Sequence, residues 1–165
     1  MSHAPTKPPG PLFQYGVEQV FAEPPWYQFF ESPYYNDSHR AFRQRVRAFV
    51  DVEMNPKIED WEERHLTEGF EMPAKEIIRK AYDAGIYSCM WPEKLGGTPP
   101  PGGFDAFHDL ILHDELSRIS SSGPKSIFGI TTMALPPLLE YGSRYLIDKV
   151  VVPVIKGDKY ISLFI

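Results

Sequence analysis

The chain has 165 residues, of which 42% are hydrophobic and 14% aromatic, so it can bury one sizeable core. Its net charge of -5 argues against nucleic acid or an anionic membrane as the main partner, because both need clustered cations. No apolar run approaches the ~18 residues of a membrane span, and residues 1–11 resemble neither a secretory signal nor a transit peptide. A single cysteine, Cys89, excludes an internal disulfide. Together these features predict a soluble, intracellular protein.

Prolines and aromatic residues dominate residues 1–35. The prolines prevent a long regular helix, and the aromatic side chains are too dense for a free tail. We therefore expect this segment to be an arm that lies across the rest of the protein or across a partner subunit.

Hydrophobic periodicity predicts two helices in the next fifty residues. The first follows capping side chains at residues 36–38, and its arginines fall mostly opposite its apolar side. The apolar positions are Phe42, Val46, Phe49 and Val50, and the arginines are Arg43, Arg45 and Arg47. Pro56 either interrupts this helix or begins its continuation through Trp61. The second helix opens after Pro73 and stops at Gly85.

The loop over residues 91–97 is expected to be rigid. Trp91 and Leu95 are too apolar for a free surface loop, so we expect both side chains to pack inward. Gly96 and Gly97 allow the backbone to turn where a Cβ would clash.

A third helix is predicted over residues 104–119. Apolar residues cover most of its circumference, which indicates a central and largely enclosed helix. Asp114 falls between Phe107 and Leu110 on the helical wheel. We therefore expect Asp114 to be buried and hydrogen-bonded, or to border a cavity.

Two further helices and a strand complete the predicted order. The fourth helix begins near Pro124, with a kink at Pro136 and Pro137, and Ser143 caps a shorter fifth. Residues 160–165 form an apolar β-type run without a partner strand, so we expect the chain to end inside a larger protein.

The predicted fold class is all-α. It is an up-and-down bundle of about five to six helices, with one C-terminal strand that belongs to a truncated next domain. The predicted divisions are an arm over 1–35, a helical domain over 36–157 and the start of a β domain over 158–165.

None of the candidate metal motifs is complete. Glu62 and His65 have the Glu-x-x-His spacing of di-iron bundles, but such a site needs a second motif and two further glutamates. Asp105 and His108 have the same spacing with the wrong acid, at a helix start. We expect no metal site, with His65 near a helix C-terminus and His108 and His113 on the surface.

The sequence names no catalytic residue either. Cys89 has no obvious base and is expected to pack in the core. Asp114 and Glu115 point about 100° apart on a helix and cannot share a proton, so both are interpreted as structural. The glycines at 96, 97, 102 and 103 lack the spacing of a phosphate loop.

The fourth helix is the most function-like element. Its residues Phe128, Gly129, Thr131, Thr132 and Met133 are small, polar or flexible. Gly129 costs about 1 kcal/mol of helix stability against alanine, which indicates a close approach by another group. That group is either a neighbouring helix or an apolar ligand.

Taken in order, these segments resemble the N-terminal helical domain of the acyl-CoA dehydrogenase family. The matching motifs are SHRAFR at 38–43, VRAFV at 46–50, AGI at 84–86, PEKLGG at 92–97, HDELSR at 113–118, LLEYGS at 138–143 and VPVIKGDK at 152–159. Each motif is weak alone, but their order and spacing make the resemblance strong. The arm over 1–35 is longer and more aromatic than the usual start of the family.

The resemblance implies an N-terminal portion of an FAD-dependent enzyme that dehydrogenates the α and β carbons of an acyl-CoA. It places Phe128, Gly129, Thr132 and Met133 at the far end of the acyl pocket. It implies electron-transfer flavoprotein or oxygen as the acceptor, and a homo-oligomer at full length. The catalytic base would lie beyond this chain, so the isolated chain would be inactive.

Two residues are assigned to the cofactor by the same resemblance, Leu163 and Ile165 near the flavin ring. Two other interpretations stay open. One is the N-terminal part of a related flavin oxidase, and the other is a stand-alone helical interaction module without catalysis.

Overall fold

The structure is a computed structural model that describes residues 23–28 and 32–161. The chain divides into two units, residues 1–36 and residues 37–165. In the first unit, helix α1 (Pro25–Gln28) carries Trp26, whose ring stacks on that of Tyr35 with centroids 4.0 Å apart. Residues 1–22 and 29–31 of the predicted arm lie outside the described residues, and its docking stays a prediction.

The second unit is helical, which confirms the all-α prediction. Its helices are α2 (Asp37–Phe49), α3 (Asn55–Glu68), α4 (Ala74–Asp83), α5 (Ala106–Leu116), α6 (Ser122–Tyr141), α7 (Arg144–Leu146) and α8 (Val152–Ile155). Single π-helical turns join α2 to α3 at Val50–Met54 and α7 to α8 at Ile147–Val151. Residues 37–161 therefore contain five continuous helical segments, besides a short 3-10 helix at Glu93–Leu95.

The predicted C-terminal strand lies in large part outside the described residues. Tyr160 and Ile161 are described, and neither is in a strand. None of the helices in the described part of the chain has the length and apolar character needed to cross a membrane.

Pro56 continues the first helix rather than interrupting it. It lies in the first turn of α3, directly after the π-helical turn. Proline is tolerated there because the first N–H groups of a helix have no intrahelical acceptor. Pro136 and Pro137, by contrast, lie in the interior of α6, and the helix continues through both to Tyr141.

The core is built from the apolar sides of α2, its π-helical turn and α5. Phe42, Val46 and Val50 are fully buried, as is Met54. Helix α2 packs mainly against α5, and α6 packs on α4 and on the π-helical turn before α8. Burial of these side chains supplies the main driving force for folding, at roughly 25 cal/mol per Å² of apolar surface.

Helix α5 is less enclosed than predicted. Leu110 is 57% exposed, and Asp114 is exposed as well, so the expectation of a buried Asp114 is wrong. The buried acid is its neighbour Glu115, because Glu115 lies three and four residues after the core positions Leu112 and Ile111. The prediction was therefore off by one position on the helix: Glu115 is in the core, and Asp114 faces solvent.

The prediction that the arginines of α2 lie mostly away from the core is wrong for Arg43. This side chain is 2% exposed, and its Nε lies 2.8 Å from Glu115 Oε1. A buried guanidinium is tolerated here because a buried carboxylate neutralises it.

The loop over residues 91–97 packs inward, as expected. Trp91 and Leu95 lie against the buried cluster formed by Leu135, Val151, Val154 and Ile155. A Cβ built on Gly97 would lie 1.8 Å from the carbonyl oxygen of Trp91, so only glycine fits at this position. The loop is thereby held at one end of the helical domain.

Lysine side chains hold the acid Glu53 on the surface of the π-helical turn. Lys57 Nζ and Lys80 Nζ lie 2.8 and 2.9 Å from Glu53 Oε2. Hydrogen bonds from Lys57 and then Lys80 lower the pKa of Glu53 to about 2, against a smaller opposing effect of burial.

Candidate functional site

Helix α6 presents one side to the core and another side away from it. Gly129, Thr132, Met133 and Pro136 are three and four residues apart and share the outer side. Met133 is 62% exposed, and a Cβ built on Gly129 would meet no atom within 4 Å. We call these four residues the open face of α6. Its side chains are small or flexible, and it includes the first of the two prolines in α6.

Phe128 does not belong to the open face. It is 7% exposed, and its ring packs edge-on against Phe49 and Tyr87, with centroids 6.1 and 6.5 Å away. Three of the four residues assigned to the acyl pocket thus share one surface, and Phe128 lies behind it in the core.

The two residues assigned to the flavin, Leu163 and Ile165, lie outside the described residues. The chain just before them, at Tyr160 and Ile161, lines a small cavity of about 60 Å³ beside α4 and α6. Tyr87 and Thr131 line the same cavity.

Glu115 is the centre of a charged cluster that the sequence analysis missed. Arg47 donates from Nε to Glu115 Oε2 at 2.6 Å and from Nη2 to Oε1 at 3.2 Å. Arg43 and Arg118 add ion pairs at 2.8 and 3.3 Å. Arg43 and Arg47 join α2 to α5 through Glu115, whereas Arg118 pairs with Glu115 locally, just after the end of α5. The cluster therefore has a structural role.

A second cluster that the sequence did not predict lies where His39 of α2 meets the start of α5. His39 Nε2 lies 3.1 Å from both oxygens of Asp105, and His108 Nδ1 lies 2.9 Å from Asp105 Oδ1. Asp105 Oδ1 also accepts the backbone N–H groups of Phe107 and His108 at 3.0 Å, and so caps α5.

The expected surface position of His108 is wrong. Its side chain is 3% exposed, because its ring packs against His39 at 4.1 Å and against Phe42 at 5.4 Å between centroids. Burial lowers the pKa of His108, and the Asp105 carboxylate opposes this only in part. His113, by contrast, is 55% exposed, as expected.

Ser38 completes a hydroxyl–imidazole–carboxylate series with this cluster. Its Oγ lies 3.1 Å from His108 Nε2, and it also donates to the Pro101 carbonyl at 3.3 Å. A nucleophilic serine must direct its proton to the imidazole. Because the Ser38 hydroxyl can also donate to the Pro101 carbonyl, its proton is not committed to the imidazole, and the series does not define a nucleophile.

Glu62 and His65, the Glu-x-x-His motif of the sequence, lie on a different surface of the domain. Both residues line an apolar groove of about 570 Å³ between the end of α3 and the start of α6, together with Trp61, Leu66 and Phe70. Glu71 lines the same groove, but in the described part of the chain no three ligand atoms from these residues lie within 4.8 Å of one another. His65 lies in the last turn of α3, as predicted, with Nδ1 2.9 Å from the Phe70 carbonyl oxygen.

Cys89 is packed in the core, as expected. It is fully buried, and burial raises the pKa of its thiol to about 12. A thiol with so high a pKa is a poor nucleophile.

Over the residues that the structure describes, the fold is therefore that of an all-α domain, in which α6 presents an open face. The family model described as "Acyl-CoA dehydrogenase, N-terminal domain" matches residues 36–158. An acyl-CoA dehydrogenase of Alternaria alternata is 35% identical over 159 residues, which are 90% of this chain and 36% of that protein. The human mitochondrial short-chain specific acyl-CoA dehydrogenase is 29% identical over 133 residues, which are 81% of this chain and 29% of that protein.

Solved structures agree with these matches. A structure assigned as an acyl-CoA dehydrogenase from Mycobacterium smegmatis has a TM-score of 0.63 and 28% identity, with 78% of this chain and 32% of that chain covered. Butyryl-CoA dehydrogenase from Megasphaera elsdenii, at 22% identity and a TM-score of 0.59, shares the fold over 76% of this chain.

The chain belongs to the acyl-CoA dehydrogenase family and contains its N-terminal domain. It spans about a third of the length of the curated relatives that it matches.

Proposed function

We propose that this chain is the N-terminal portion of a flavin-dependent acyl-CoA dehydrogenase and forms part of its acyl-binding pocket. The reaction is the α,β-dehydrogenation of an acyl-CoA thioester. FAD, when bound, would accept the hydride from the β-carbon. Membership of the family supports this assignment.

The open face of α6 is the observation that carries the pocket assignment. Gly129 leaves room for an alkyl chain next to the helix backbone, and Met133 is flexible enough to pack against chains of different shape. Thr132 donates its hydroxyl to the Gly129 carbonyl at 2.7 Å, so this polar group is satisfied within the helix. Phe128 would support this wall from the core side.

The cofactor and partner assignments rest on resemblance. Leu163 and Ile165 are proposed to lie near the flavin ring, and the catalytic base to come from outside this chain. Electron-transfer flavoprotein or oxygen is the proposed acceptor, and the full-length enzyme is proposed to be a homo-oligomer. A subunit of the caffeyl-CoA reductase–Etf complex of Acetobacterium woodii, 28% identical over 129 residues, supports the first acceptor.

The first experiment compares the isolated chain with the longer polypeptide that contains it. We expect the isolated chain to be colourless and inactive, and the longer protein to copurify with FAD and to oxidise acyl-CoAs with an artificial electron acceptor. An isolated chain that is yellow or active contradicts the proposal. A longer protein without flavin, whose helical part binds a partner, supports the interaction module instead. Reoxidation by air rather than by electron-transfer flavoprotein identifies an oxidase.

The second experiment tests the pocket in the longer enzyme. Gly129→Leu fills the open face, and Gly123→Leu is the matched control, since a Cβ at Gly123 of the same helix also meets no atom within 4 Å. We expect Gly129→Leu to lower kcat/KM for palmitoyl-CoA by roughly tenfold or more while that for butyryl-CoA changes little. Equal effects of both variants, or no change in chain-length preference, would show that this face does not contact the acyl chain.

A further inference from the structure

The cluster of His39, Asp105 and His108 contains the donor atoms of a metal site. One ligand atom from each residue lies within 4.8 Å of the others, and in the described part of the chain no other group of three His, Cys, Asp or Glu residues does so. Both histidines are buried, whereas the Asp105 side chain is 52% exposed. The two histidines are therefore held in place by the surrounding core, whereas the Asp105 carboxylate is accessible to solvent.

The distances are close to those of a coordinated ion. Ligand atoms about 2.0–2.1 Å from Zn²⁺ in a tetrahedron are about 3.3 Å apart. His39 Nε2 lies 3.1 Å from each Asp105 oxygen, and His108 Nδ1 lies 2.9 Å from Oδ1 of the same carboxylate, whose other oxygen, Oδ2, is the one left for an ion. A small outward movement of each side chain would admit the ion.

Asp105 can ligate without releasing the helix cap. Oδ1 accepts the two backbone N–H groups at the start of α5, whereas Oδ2 contacts His39 Nε2. Coordination through Oδ2 therefore leaves in place the two hydrogen bonds that Oδ1 accepts.

Ser38 orients His108 for coordination. With the Ser38 proton directed to the Pro101 carbonyl, its lone pairs accept from His108 Nε2–H. That tautomer leaves the Nδ1 lone pair facing the Asp105 carboxylate at 2.9 Å. In that tautomer Nδ1 also accepts the Asp105 backbone N–H at 3.4 Å, and a metal ion on Nδ1 would replace this long hydrogen bond.

The geometry points to a zinc-type divalent cation site formed by His39 Nε2, Asp105 Oδ2 and His108 Nδ1, with water at the open position. Two imidazoles and one carboxylate are a ligand set of Zn²⁺ and Co²⁺, and not of Mg²⁺ or Ca²⁺, which prefer oxygen. From the sequence no metal was expected because the ligand count was incomplete; His39, 66 residues before Asp105, supplies the third ligand only in the folded chain.

The test is equilibrium dialysis and calorimetry of the chelator-treated chain with Zn²⁺, and absorption spectroscopy with Co²⁺. We expect one tightly bound Zn²⁺ per chain and visible Co²⁺ bands typical of low coordination number. His39→Gln should abolish tight binding. Asp105→Asn should weaken it by roughly tenfold or more while keeping the cap, because asparagine also caps helices. Ser38→Ala should weaken it by a similar factor through loss of His108 orientation.

His113→Gln is the matched control, since His113 lies 3.6 Å from Asp109 on the same helix but is exposed. It should leave binding unchanged, and circular dichroism should show that each variant is folded. The proposal is overturned if the chain binds no Zn²⁺ above buffer background, or if His39→Gln binds as the unmodified chain does. Because the readout is metal binding and not turnover, its failure would leave the proposed enzyme function untouched.

Discussion

Replacing Glu115 with glutamine should destabilise the helical domain strongly. The carboxylate is fully buried and pairs with Arg43, Arg47 and Arg118 at 2.8, 2.6 and 3.3 Å. Glutamine has nearly the same volume, so the substitution creates little cavity and removes mainly the negative charge. Breaking a buried ion pair from one side costs about 3–5 kcal/mol, because the remaining charge is buried without compensation.

The partners of Glu115 set the expected value within that range. Arg47 and Arg118 are 23% and 16% exposed and can turn toward water, whereas Arg43 is 2% exposed and cannot. One cation is therefore left buried rather than three. We expect a loss near the lower end of the range, about 3 kcal/mol.

Urea unfolding measured by circular dichroism and by tryptophan fluorescence provides the assay. With a denaturant slope of about 1–3 kcal/mol per M, the Glu115→Gln midpoint should fall by at least ~1 M. Asp114→Asn is the control, because this neighbouring acid is exposed and should change stability by no more than about 0.5 kcal/mol. A Glu115→Gln variant within about 1 kcal/mol of the unmodified chain, or an equal loss in Asp114→Asn, would refute the reasoning.

Three further predictions concern single positions. Cys89 should react with Ellman's reagent far more slowly in the folded chain than in denaturant, since its thiol is buried and its pKa is about 12; equal rates would contradict this. Gly97→Ala should destabilise the domain because its Cβ would overlap the Trp91 carbonyl, whereas Gly129→Ala, in open space on a helix, should stabilise it by up to about 1 kcal/mol in urea unfolding. The folded pKa of Glu53 is depressed from 4.5 to about 2, so its contribution is present above pH 4.5 and is lost as the pH falls toward 2. The difference in urea midpoint between the unmodified chain and Glu53→Gln should accordingly disappear over that interval, and a constant difference would show that the pKa is not depressed.

Local patterns predicted most of the helices and the path of the loop between α4 and α5. Apolar spacing in α2 identified Phe42 and Val46 as core residues, and both are buried. The apolar character of Trp91 and Leu95 in a glycine-bounded segment was enough to predict that they pack inward. These inferences succeed because apolar burial is non-directional and depends on a residue's own surface.

The positions of charged and polar groups could not be predicted in the same way. Asp114 and Glu115 are adjacent and both acidic, and the wheel placed the wrong one inside. Whether a carboxylate is buried depends on the guanidinium that meets it, and Arg47 is separated from Glu115 by 68 residues. Helical periodicity carries no information about a partner at that distance.

The sequence by itself determined the helical class, the apolar core positions and the order of motifs that marks the acyl-CoA dehydrogenase family, because these depend on short-range spacing. Only the tertiary structure decided which ionisable groups meet: Arg43 with Glu115, and His39 with Asp105 across 66 residues. Burying a charge or an imidazole is favourable only beside a specific partner, and that partner is determined when α2 packs on α5.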